Sequence, residues 1–105
     1  MSLGSAGNST NELYWPYGLV LHPTSNILYI AEDGNHRIMS YTLGNNSGTL
    51  VFGFNGGGNN NTQLYVPRGL HFDILTNSFV ITNCAAHNIV RYVLGSSFWY
   101  NTSTI

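Results

Sequence analysis

The residues with chemical reach in this chain gather in two short turns. The first runs Glu32-Asp33-Gly34-Asn35-His36-Arg37, the second Asn83-Cys84-Ala85-Ala86-His87-Asn88. Glu32 and Arg37 flank the first turn, so an antiparallel hairpin sets them roughly opposite each other. In the second turn both positions are neutral, Asn83 and Asn88. Losing both charges together is what a paired interaction predicts, because one orphaned charge at a half-buried position is costly. The expected role of Glu32 and Arg37 is therefore a structural pair clamping the hairpin, and no catalytic residue is assigned. His36 and His87 hold matching turn positions, where an imidazole satisfied by hydrogen bonds is the default. His22 and His71 do not match each other.

Metal chemistry needs convergent ligands at short spacing, such as Cys-x2-Cys or His-x3-His. Cys84-x-x-His87 is half of such a site, so no metal and no cofactor is expected. Cys84 is the only cysteine, which excludes an intrachain disulfide. It falls in a polar turn, and His87 three residues on is the one feature favouring a nucleophilic role. Gly53 to Asn61 reads as a flexible loop; as a phosphate cradle it lacks the Lys-Ser/Thr that should follow.

Charge is sparse: Arg37, Arg68 and Arg91 against Glu12, Glu32, Asp33 and Asp73, with no lysine. Three scattered arginines cannot neutralise a run of phosphates, which disfavours nucleic acid. A surface so weakly self-repelling favours association. No apolar run approaches the roughly 20 residues of a membrane helix, so no membrane partner is expected. The N-terminus lacks the basic and apolar regions of a signal peptide. Sequons at Asn8, Asn45, Asn60 and Asn101 are close to what so Asn- and Ser/Thr-rich a chain yields by accident. They leave glycosylation and compartment open, with a lean toward an extracellular place within a larger protein.

The elements that carry these turns are short and apolar. Residues 1–12 read as a loop, followed by strands at Leu19–His22, Ile27–Ala31, Arg37–Thr42 and Thr49–Phe52. Val, Ile, Leu, Tyr and Phe dominate runs of four to six residues, separated by turn chemistry at Pro23–Asn26 and Gly44–Gly48. The chain is expected to be all-β. It also repeats: sliding it by 51 positions lays residues 13–44 on 64–95 without a gap, twelve of thirty-two positions being identical. Chance would give about two. The expected division is an N-terminal loop at 1–12, a unit at 13–53, a Gly/Asn-rich connection at 54–63 and a second unit at 64–105. Four strands recurring at this period are the signature of β-propeller blades.

Pro16-x-Gly18 followed by Ile30-Ala31-Glu32-x-x-Asn35-His36-Arg37-Ile38 closely resembles the NHL repeat. The second unit is more worn, with Asn83, Ala86 and Asn88 in place of the acid, the Asn and the Arg. The resemblance implies two four-stranded antiparallel blades of an NHL-type propeller, commonly six-bladed. It also implies that the turn histidine packs within its own blade. NHL propellers include binding platforms, sensor domains and, in one branch, a metal-dependent amidating lyase.

In a propeller the first strand of each blade lines the channel, and Tyr17 and Arg68 sit at its start. Copies around a ring would form an axial mouth suited to an acidic group or a carboxylate-bearing peptide. With Trp15, Asn35, His36 and His87 they make up the candidate ligand-binding set. An exposed Trp15 or Trp99 could also stack a sugar. Two blades leave two outer sheet faces in water, apolar by the strand pattern, so partners are expected to be further copies, three chains making six blades, or further blades in cis. The leading expectation is a non-catalytic scaffold for a protein or small acidic ligand. A lyase-like enzyme and a purely structural repeat stand beside it.

Overall fold

The computed structural model describes residues 15–44, 47–53 and 56–104. The loop expected at 1–12, Leu13 and Tyr14, the sequons at Asn8 and Asn45, and Phe54-Asn55 of the connection lie outside the described residues. Eight strands form two antiparallel sheets. The first holds β1 (Pro16–Leu21), β2 (Ile27–Glu32), β3 (Arg37–Thr42) and β4 (Thr49–Phe52) in sequence order. The second holds β5 (Pro67–Asp73), β6 (Ser78–Asn83), β7 (Asn88–Val93) and β8 (Tyr100–Thr104), also in order. The described residues are all-β apart from one 3₁₀ turn at Cys84–Ala86. β1 begins at Pro16, three residues before the strand expected at Leu19. A bulge between Pro16 and Gly18 lets the proline, which has no N–H to give, join the sheet at its edge.

The 51-residue repeat is written into the backbone. Left-handed φ angles fall in matched pairs: Trp15 (50°) with Val66 (54°), Asn26 (62°) with Asn77 (51°), and His36 (54°) with His87 (58°). Each sheet then meets its neighbour through one particular face, since alternate side chains point opposite ways. We call the side bearing Leu28, Ile30, Met39 and Tyr41 the leading face of the first sheet. The side bearing Tyr29, Ala31, Ile38 and Phe52 is its trailing face. The trailing face packs on the leading face of the second sheet, where Phe72, Phe79, Ile81, Val90 and Tyr92 complete a single core. Tyr29 lies parallel to Phe72 at 6.3 Å and edge-on to Phe79 at 4.7 Å. Each such buried side chain contributes about 1.5–3 kcal/mol.

The two outer faces differ from the expectation that both lie open and apolar. On the leading face of the first sheet, Ile30, Met39 and Tyr41 are already buried within the single chain. What stays open there is the β1 side, where Tyr17, Leu19 and Leu21 are exposed. The trailing face of the second sheet is partly polar, because Thr82 and Arg91 stand where the first sheet has Ala31 and Ser40. Arg91 there donates to Asp73, Thr76 and Ser78. The connection is also more ordered than a free loop: Gly57 bridges Leu64, and Leu64 is buried.

Gly18 fixes how closely the sheets meet. A Cβ on it would lie 2.7 Å from the Arg68 carbonyl oxygen and 2.9 Å from Leu70 Cβ. Gly18→Val should therefore destabilise by about 1–3 kcal/mol through overpacking, read as a lower thermal midpoint. Asp73 is held below the usual carboxylate range, chiefly by the Thr76 hydroxyl, then by Arg91 and the Leu75 N–H. Its contribution is complete above the unfolded aspartate value of about 3.9 and is lost as pH falls through the lower folded value. Asp73→Asn should thus melt below the parent at neutral pH, and the gap should close as the pH is lowered through the depressed folded value.

Candidate functional site

The turns at 33–36 and 84–87 and the starts of β1 and β5 lie at one end of the two sheets. Within the first hairpin, Arg37 Nε donates to Glu32 Oε2 at 2.6 Å and Nη2 to Oε1 at 3.2 Å. Asn35 Nδ2 adds a third donor to Oε1 at 2.9 Å. Glu32 and Arg37 are both buried, more deeply than the half-buried placement expected. A buried carboxylate needs this many donors, because its desolvation is repaid only by close, directed partners. The Asn35 amide is thereby engaged with its own hairpin.

A second set of contacts crosses between the sheets. Arg68 Nε donates to Asp33 Oδ2 at 2.8 Å, and its guanidinium carbon sits 4.9 Å from the centre of the Tyr17 ring. Asp33 raises Arg68 further above its ordinary value, first by the hydrogen bond and then by charge. The Asp33 side chain is buried, whereas that of Arg68 is 51% exposed. Nε is committed to Asp33. The guanidinium has five N–H donors in all, so its terminal groups can take a planar carboxylate at the surface.

His36 joins the two sheets, rather than packing within its own unit as the resemblance implied. Its Nδ1 accepts the Val66 backbone N–H at 3.0 Å, and its ring meets Tyr65 edge-on at 5.6 Å. Val66 makes this bond at a φ of 54°, a strained setting for a β-branched residue.

The second turn is built on the same backbone with different side chains. Asn83 Oδ1 accepts the Tyr65 N–H at 2.6 Å. Asn83 Nδ2 and Asn88 Oδ1 are buried with no hydrogen-bond partner among the described residues. Cys84 is a free, half-buried thiol opening the 3₁₀ turn, and it lies within electrostatic reach of Arg68. His87 closes that turn, its N–H donating to the Cys84 carbonyl at 3.1 Å. Its exposed ring makes no hydrogen bond among the described residues.

The remaining candidates scatter. Trp15 is 62% exposed, and its carbonyl accepts the Asp33 N–H. Trp99 is buried and donates Nε1–H to the Gln63 carbonyl at 2.6 Å, so it offers no face to a sugar. His22 packs against Phe72 and His71 is exposed on the trailing face of the second sheet. No cluster of three or more His, Cys, Asp or Glu side chains able to hold a metal occurs among the described residues. The structure thus brings Tyr17 and Arg68 together and ties Asn35 and His36 into the scaffold. It adds Asp33, Tyr65 and Val66, which the sequence reading did not single out. The signal for Asp33 lay in the repeat, where Asp33 gives way to Cys84 as Arg68 stands for Tyr17.

No family model matches the chain, and no curated protein matches it either.

The buried pair gives a direct test of what these turns do. Removing one partner, as in Glu32→Asn or Arg37→Asn, should each cost about 3–5 kcal/mol because a buried charge is left alone. The double replacement, which installs the pair found at Asn83 and Asn88, should cost less than the two losses added together. Denaturant melts of the four proteins measure that difference.

Proposed function

We propose that the chain is a pair of NHL-type β-propeller blades serving as a non-catalytic binding scaffold. Further blades complete its ring, supplied by other copies of the chain; three chains would give six blades. The observation that carries this reading is the stacking of one blade's leading face on the other's trailing face, with left-handed residues in register 51 positions apart. A second support is where the chemistry is spent. Glu32 and Arg37 hold a hairpin, and Asp33 and His36 hold the joint between blades.

The binding site in this reading is the axial mouth, with Arg68 as the anchor and Tyr17 as the wall it stacks on. The ligand class is a carboxylate, as borne by an acidic peptide or a protein C-terminus. Titration with a short acidic peptide and its C-terminally amidated twin tests this. The free acid should bind the parent about tenfold or more tightly than the amide, the worth of one charge-assisted hydrogen bond. In Arg68→Gln that preference should vanish. An Arg68→Gln protein that keeps its fold and the whole preference overturns the axial site.

A further inference from the structure

Among the described residues, each outer sheet face carries half of the joint that the two blades form with each other, without the other half opposite it. Within the chain, Leu70 of β5 drops onto Gly18, whose absent side chain makes room for it. Phe72, two residues on, stacks on Tyr29. Moved back by 51 positions, the projecting pair is Leu19 and Leu21 of β1. These are 65% and 52% exposed, whereas Phe72 is 9% exposed. Moved forward by 51 positions, the receiving pair is Gly69 and Val80, both half-buried on the trailing face of the second sheet, where the Thr82 side chain stands beside Gly69 and must turn aside to admit a leucine. A shallow apolar hollow of about 320 Å3 beside Leu19 marks the open side of β1.

We propose that a second copy of this chain lays its β1 over β5 and β6, Leu19 against Gly69 and Leu21 against Val80, so that copies join head to tail. The proposal rests on the propeller reading above and specifies the surface that closes it. Charge argues for a second copy as the occupant. The joint within the chain is pinned by Arg68 on Asp33. At the joint between copies those positions are Tyr17 and Cys84, so both charges are missing together and neither is left without a counter-charge. A foreign partner would impose no such matching on two positions 67 residues apart. His87 repeats the left-handed backbone of His36, and at this joint its ring comes beside the start of the second copy's β1. Because the two surfaces differ, the contact is heterologous: each copy offers one of each.

The test uses two variants of the full chain, each spoiling one surface. Leu19→Glu blocks the projecting side, and Val80→Glu blocks the receiving side. Sedimentation velocity at high micromolar concentration should show the parent larger than one chain and each variant as a single chain. An equimolar mixture of the variants should give a two-chain species and nothing larger, since one good joint remains. Circular dichroism confirms the β-sheet, and Leu19→Ser with Val80→Ser replaces any variant that unfolds. A Val80→Glu protein that assembles like the parent overturns the joint, as does a mixture that stays single. Parent assembly untouched by either change defeats this joint and leaves the ring standing. A parent that sediments as one chain defeats both.

Discussion

The contact on which this structure depends is the seating of one twisted sheet on another through non-equivalent faces. Sheets of four short strands cannot hide their apolar side chains alone, so the trailing face of the first must meet the leading face of the second. Close approach at the inner strands is what makes that burial complete. Gly18 sets the distance there, and the aromatic trio of Tyr29, Phe72 and Phe79 fills the space beyond. Hairpin register follows from the same demand, because a slip by one residue would turn Tyr29 and Ala31 outward.

Polar groups at the turn end act on top of this packing. Glu32 and Arg37 occupy a place where water is excluded, and their value lies in fixing one hairpin geometry. The worn second turn shows the other solution. Two asparagines fill the same space without charge, leaving one donor and one acceptor without a partner among the described residues, where an unmade bond costs about 1–3 kcal/mol. Val66 adds local strain of about 1–3 kcal/mol so that its N–H can reach His36. Such strain persists only because the packing on either side of it is already secured.

Much of this was legible in the residues. Strands at Arg37–Thr42 and Thr49–Phe52 and the turn at Pro23–Asn26 followed from runs of β-formers broken by Pro, Asn and Gly, and the structure has them at those positions. The start of β1 was missed because a proline beside a bulge looks like the end of a loop. Period-two patterning tells which residues share a face; it does not tell what covers that face. Hence the burial of Met39 and Tyr41, the polar trailing face around Arg91, and the enclosed Trp99 emerged only in three dimensions. The site was harder still. Asp33 meets Arg68 across 35 residues, and His36 meets Val66 across 30. Neither pairing has a local spacing signature. Only the parallel change of two positions between repeats betrays the first.

The gapless spacing of the two sheets has a consequence for how the chain can vary. Left-handed residues recur 51 positions apart, so one residue inserted within a strand of either unit would break that match and turn the side chains beyond it to the opposite face. Substitution, as at Asn83 and Asn88, changes the chemistry of a turn and leaves the backbone frame intact.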